Sequence, residues 1–231
     1  PLVQSLLQGK PVSLQQAGDL ICTPADQVPT WWAERNYILE CDRCGNIVGA
    51  GITLMPTRHS FEVDGRTLYA WCAMDCLMFA VVMKKDARIR SLCPATGTPI
   101  ALTVTVEGVK DVSPPTVAVS LASPEGPDIR KAFCDRTNFY ASREVAEKAT
   151  RDQPDIAVAT LEEAFQVGVD RVDTGGEAFG AGGELQAAGV GPGGEELHQG
   201  GRARLAEALH GQRQLLGVAG RGDRLVPGRP P

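Results

Sequence analysis

One stretch governs how this chain can fold. Leu68-Tyr69-Ala70-Trp71-Cys72-Ala73-Met74-Asp75-Cys76-Leu77-Met78-Phe79 is its most apolar segment, yet it carries two thiols and a carboxylate. Read as a helix from Trp71 to about Met83, it places Cys72, Asp75 and Cys76 at i, i+3 and i+4, on one face. Met78, Phe79 and Val82 complete that face and make it dry. A carboxyl group among apolar neighbours has a raised pKa and holds a proton near neutrality. A neighbouring thiol becomes a soft-metal ligand where its thiolate is favoured. Two readings stand side by side: a proton donor next to sulfur ligands, or two small core cysteines with Asp75 as a helix cap or surface residue.

The 231 residues suffice for one large or two small domains. A net charge of −5 argues against a nucleic-acid footprint, which would be basic. No apolar run approaches the ~20 residues that span a bilayer. The start, Pro1 to Leu7, resembles the middle of a helix and lacks the charged beginning of a signal peptide. A cytoplasmic protein whose true beginning lies upstream is therefore expected. The seven cysteines are odd in number and the chain is not small, which disfavours a disulfide framework and leaves thiols for metal or catalysis. With three histidines, two of them in a biased tail (His198, His210), a His-rich zinc hydrolase site is nearly excluded.

Residues 1 to about 36 are expected to form three short helices, with a capping box at Ser13-Leu14-Gln15-Gln16 and a cap before proline at Thr23-Pro24. Strands at Tyr37–Glu40 and Ile47–Ile52 around Asp42–Asn46 would complete a winged-helix-like domain, residues 1–56, serving as a structural or lid unit. A sheet-and-helix domain, residues 57–168, follows. Asp64-Gly65 marks a hairpin between Ser60–Val63 and Arg66–Tyr69. Further strands are expected at Arg88–Arg90, Ile100–Val106, Thr116–Leu121, Asn138–Ala141 and Ile156–Ala159. Short helices are expected at Pro127–Cys134, after the cap Ser142, and after the capping box Thr160–Glu163 to about Val167. From Gly168 onward the chain holds 17 of the 26 glycines, no lysine, no cysteine and one aromatic, Phe179. That composition, over residues 169–231, points to a mostly disordered tail, with an isolated amphipathic helix possible at 202–216.

Cys41-Asp42-Arg43-Cys44-Gly45 has the spacing of half a zinc site. The remaining half would come from Cys72 and Cys76 or from Cys93; otherwise the pair is two surface thiols on a turn. Cys93, in Cys93-Pro94-Ala95-Thr96-Gly97, suits a structural place in a tight turn. Cys22 is expected in the core and His59 on the surface. Cys134 ends an amphipathic helix just before the chain returns to the sheet. A thiol brought near Cys72 by that return would complete a two-sulfur site.

These elements resemble the organomercurial lyases (alkylmercury lyases). Leu68-Tyr69-Ala70-Trp71-Cys72-Ala73-Met74-Asp75, Cys93-Pro94-Ala95-Thr96-Gly97, Ala118-Val119-Ser120-Leu121, Phe133-Cys134, Asn138–Ser142 and Glu163-Ala164-Phe165 carry the likeness, in order, over about residues 1–168. The resemblance implies cleavage of a carbon–mercury bond to hydrocarbon and Hg(II), with Cys72 and Cys134 as mercury ligands and Asp75 handling the proton. It gives Cys93 a structural role. No organic cofactor is implied; cellular thiols or a mercuric reductase would accept the Hg(II). Three departures stand out: a shortened first helix, the dissolution of the C-terminal end into the Gly-rich tail, and the additional thiol Cys76, which would offer a third sulfur and slow mercury release.

The expectation is thus an α+β protein with a winged-helix-like N-terminal unit and a mixed or antiparallel sheet domain. Its expected activity is mercury–carbon protonolysis. The alternatives are a non-enzymatic thiol protein binding or sensing zinc or mercury through Cys41, Cys44, Cys72 and Cys76, and an inactive family member with a compromised fold.

Overall fold

A computed structural model describes residues 2–34, 38–123 and 128–175. The start has three short helices, α1 (Leu2–Leu6), α2 (Leu14–Ile21) and α3 (Val28–Ala33), with a 3-10 turn at Ala25–Gln27 before α3. Ser13 caps α2 in a full capping box: its side chain accepts from the Gln16 amide and the Gln16 side chain accepts from the Ser13 amide. The cap expected at Thr23 is absent, since its hydroxyl turns back to the Ile21 carbonyl. Leu2, Leu6, Val12, Ala17, Val28, Trp32 and Ile47 form a small core of their own.

Eight strands then build one antiparallel sheet. They are β1 (Glu40–Cys41), β2 (Ile47–Ala50), β3 (Ile52–Thr53), β4 (His59–Val63), β5 (Arg66–Ala70), β6 (Ala87–Leu92), β7 (Pro99–Thr105) and β8 (Gly108–Ser113). The order is β1-β2-β3-β5-β4-β6-β7-β8. The expected strand from Tyr37 shortens to Glu40–Cys41, and Tyr37 lies outside the described residues. The strand β8 has no counterpart in the sequence expectations: Lys110 and Asp111 break its alternation, and it is exposed at the sheet edge.

A second, three-stranded antiparallel sheet orders β10 (Phe139–Tyr140), β9 (Ala118–Ala122) and β11 (Ile156–Thr160). Between the two sheets run α4 (Ala73–Met83) and α7 (Leu161–Gly175). Every residue of α4 from Ala73 to Ala80 is buried. A helix apolar on all sides must be a core helix, and this one packs on β4, β5 and β7 and against α7. Short α5 (Ile129–Ala132) leads into a 3-10 turn at Cys134–Arg136, and α6 (Arg143–Ala149) is capped by Ser142 as expected. Helix α7 opens with the expected reciprocal bonds between Thr160 and Glu163. It runs to Gly175, past the expected end near Val167, with Gly168 passing against Met74 and Met78 of α4. The amphipathic stretch 202–216 lies outside the described residues.

Two residues sit opposite to expectation. Cys22 is exposed, because it closes α2 in a left-handed conformation at φ 53° that turns it outward. His59 is buried at 1% exposure, since β4 alternates and His59 shares the inward face with Phe61 and Val63. Burial, aided by the positive charge of Arg58, lowers the His59 pKa to about 3. In the unfolded chain it titrates near 6.5. The unfolded state therefore takes up the proton first, so stability falls as pH drops from about 6.5 toward 3. We expect urea denaturation to show a loss of roughly 2 kcal/mol from this group between about pH 7 and about pH 5, and His59→Gln to flatten the slope.

Candidate active site

The site forms where β5 runs into α4. Cys72 is not the second helical residue, as the sequence spacing suggested, but the N-cap, with extended backbone at φ −147° and ψ 172°. Its sulfur accepts the Asp75 amide at 3.4 Å, the bond a cap side chain makes to the third helical residue. Its thiol donates to Asp75 Oδ2 at 3.1 Å. Thiol and carboxylate thus face each other inside the protein, at 0% and 8% exposure. The helix N-terminus favours negative charge on Asp75.

Cys134 arrives from the other side. Asp128 caps α5 by accepting from the Arg130 and Lys131 amides, and the 3-10 turn after Phe133 presents Cys134 inward. The Thr137 carbonyl then accepts the Ala73 amide at 3.0 Å, stitching this turn to the first residue of α4. The ligand atoms of Cys72, Asp75 and Cys134 all lie within 4.8 Å of one another, and all three residues are buried. Cys72 is also hydrogen-bonded to Cys134. Burial pushes the Cys72 thiol well up, and the Cys134 bond and the Asp75 charge push it further, so Cys72 holds its proton before anything binds.

The other sulfurs lie elsewhere. Cys76 is buried in α4 but falls outside the group: its amide donates to the Cys72 carbonyl, yet the extended backbone of the N-cap takes the Cys72 side chain off the helix face. Burial and the Asp75 charge raise the Cys76 thiol well above its ordinary value. Cys41 and Cys44 are exposed on the β1–β2 turn and join no group of three or more potential ligands among the described residues, so a four-thiol zinc site with Cys72 and Cys76 is not assembled. Cys93 is buried in its turn. Burial raises its pKa, but the Thr96 hydroxyl and the amides of Ala141, Ala95 and Thr96 outweigh this and lower it overall.

The roles of Glu40 and Arg130 went unnoticed in the sequence. Glu40 accepts from Trp71 Nε1 at 2.9 Å and from Thr53 Oγ1 at 2.7 Å, and pairs with Arg130 at 3.2 Å. The Arg130 guanidinium lies 4.7 Å from the Trp71 ring centre. Trp71 precedes Cys72 and Arg130 lies on the helix before Cys134, so one carboxylate ties both thiol-bearing segments. Burial pushes Glu40 up, but Thr53, Trp71 and Arg130 outweigh it and its pKa falls.

A profile of the family described as alkylmercury lyase matches residues 52–172. An alkylmercury lyase of Pseudomonas putida is 44% identical over 168 residues, 72% of this chain and 79% of that protein. One from Streptomyces lividans is 40% identical over 169 residues, 73% of this chain and 78% of that protein. The chain belongs to the alkylmercury lyase family. A solved structure described as the mercury-bound form of MerB2 superposes with a TM-score of 0.62 at 27% identity, over 72% of this chain and 84% of that one. The likeness to alkylmercury lyases takes in the elements that form the site: β5, α4, the Cys134 turn and most of α7 lie within the matched residues.

Gly51 closes the site from the β2–β3 corner. Its φ is +83°, and a Cβ there would stand 2.6 Å from Phe79 Cε2 and 3.3 Å from Asp75 Oδ1. Gly51→Ala is therefore both strained and overpacked, and urea denaturation should show a loss of about 2–3 kcal/mol.

Proposed function

We propose that this chain cleaves the carbon–mercury bond of organomercurials by protonolysis, with Cys72, Cys134 and Asp75 doing the chemistry. The observation that carries the reading is the buried group of two thiols and one carboxylate, drawn from distant parts of the chain. Membership in the alkylmercury lyase family supports it. Mercury, the soft metal of the substrate, favours sulfur.

An incoming R–Hg–X, X being a thiolate, exchanges its ligand for Cys72. The Cys72–mercury bond forms, and the Cys72 proton leaves through Asp75 with X as a free thiol. Cys134 then adds its sulfur to mercury and passes its proton to Asp75. With two sulfurs feeding electron density to the metal, the Hg–C bonding pair goes to carbon. Asp75 delivers the proton to that carbon, R–H departs, and Hg(II) remains between Cys72 and Cys134. Asp75 is again a carboxylate, and mercury stays Hg(II) throughout, so no oxidant or reductant is needed. The dry surroundings keep water from competing for the proton.

In this reading no organic cofactor takes part, and external thiols or a mercuric reductase remove Hg(II) by thiol exchange. Among the described residues no helix is long and apolar enough to cross a membrane, and we place the reaction in the cytoplasm. The domain reading belongs to the same proposal: the winged-helix-like unit of residues 1–56 lends its strands β1, β2 and β3 to the large sheet of residues 57–168, and the first residues of the stretch 169–231 continue α7 to Gly175. The four-thiol zinc alternative has no geometric support among the described residues, because Cys41 and Cys44 are not gathered with the buried thiols.

The test is headspace detection of benzene from phenylmercury with excess thiol. We expect the unaltered chain to release benzene, and Cys72→Ser, Cys134→Ser and Asp75→Asn each to lose at least about 100-fold, the scale of a lost acid–base group. Benzene release by Asp75→Asn at the unaltered rate would overturn the role of Asp75.

A further inference from the structure

Cys134 sits on no regular strand or long helix, so something else must fix its sulfur. Five of the eight buried polar residues among those described collect around it. His59, Ser91, Ser120, Thr137 and Asn138 are each 6% exposed or less. All are joined to the turn that follows Cys134. Ser120 Oγ donates to the Arg136 carbonyl at 2.7 Å and accepts the Asn138 amide at 2.9 Å. Thr137 Oγ1 accepts the Ala122 amide at 3.3 Å. Asn138 Nδ2 donates to the Asp135 carbonyl at 3.1 Å. Polar groups buried in this way cost stability unless each is paired, and a fully paired web fixes one geometry.

The web reaches the large sheet through an imidazole. His59 Nδ1 lies 2.9 Å from Ser91 Oγ, and the ring also hydrogen-bonds the Asn138 side chain. The bond to Asn138 favours the protonated ring, as an amide oxygen that accepts a ring N–H does, so the ring proton is assigned to Nε2 and Nδ1 accepts the Ser91 hydroxyl. The chain then has one direction: Ser91 hydroxyl to His59, His59 to Asn138, Asn138 to the carbonyl next to Cys134. The Phe139 ring packs edge-on against the imidazole at 5.8 Å and holds its plane.

We propose that this directed chain, Ser91–His59–Asn138, positions the Cys134 sulfur for the second mercury–sulfur bond. His59 touches no reacting atom; it acts through Asn138 and the Asp135 carbonyl. The inference rests on the two-thiol protonolysis proposed above. Its consequence is a split between steps. Capture by Cys72 needs only the α4 cap, whereas cleavage needs Cys134 in place. Loss of the chain should leave capture intact and slow the break.

The experiment uses the full chain with its exposed thiols replaced, Cys22→Ser, Cys41→Ser and Cys44→Ser, so that phenylmercury meets only buried sulfur. In single turnover, intact mass of the quenched protein follows the phenylmercury adduct, and headspace benzene follows cleavage. We expect His59→Leu and Asn138→Ala to form the adduct at the unaltered rate, accumulate it, and release benzene at least about tenfold slower, within the cost of an ångström-scale misplacement. The same adduct should accumulate in Cys134→Ser. His59→Gln, whose amide can accept from Ser91 and donate to Asn138, should restore cleavage to within about threefold. Ser91→Ala removes only a hydroxyl and should slow cleavage without adduct loss, which keeps the test alive if the larger changes unfold. Unaltered cleavage in folded His59→Leu, or His59→Gln as slow as His59→Leu, overturns the positioning role. Absence of benzene from the parent chain itself overturns instead the reaction on which the inference rests.

Discussion

The 3.1 Å contact between the Cys72 thiol and the Asp75 carboxylate is the interaction on which the site depends. In water such a pair would be unremarkable. Here burial raises the thiol, so the proton stays on sulfur and the carboxylate stays beside it as its acceptor. In the proposed reaction, a metal that prefers sulfur to a proton moves that proton to Asp75, whose oxygen then delivers it to carbon.

That bond survives because the fold keeps water out and keeps a second sulfur close. Helix α4 is buried on all sides between the eight-stranded sheet and α7. Gly51 gives the β2–β3 corner room to press on Asp75, where any side chain would collide with Phe79. Glu40 draws Trp71 and Arg130 together, and the Thr137 carbonyl binds the first amide of α4. Two segments about sixty residues apart are thereby held as one unit. The N-terminal helices contribute through their own small core, through a bridge from Val12 to Ile47 of β2, and directly through Val3 and Leu7, which join the main core.

Much of this was legible along the chain wherever the signal was local. The apolar run, the capping boxes at Ser13 and Thr160, the Asp64-Gly65 hairpin and the Ser142 cap all depend on neighbours within four residues. Cys72 and Asp75 were legible as a pair for the same reason. Their exact relation was not, because a sulfur cap before the helix and a sulfur inside it share the same spacing. That ambiguity also made Cys76 look like a partner of Cys72. Cys134 could be tied to the site only through family resemblance, since no periodicity encodes convergence of distant turns. His59 was hidden by its polarity, although its alternation with Phe61 and Val63 marks an inward face. Strand β8 was hidden because an edge strand with Lys110 and Asp111 outward carries no apolar alternation to find.

Mercury itself offers the most direct test of whether two distant sulfurs meet. One equivalent of Hg(II) bound to the chain lacking its exposed thiols, Cys22, Cys41 and Cys44, can be examined by X-ray absorption at the mercury edge. Convergence of Cys72 and Cys134 predicts two sulfur neighbours, falling to one on Cys134→Ser and left at two on Cys76→Ala. Two sulfurs persisting in Cys134→Ser, or one disappearing in Cys76→Ala, would contradict it.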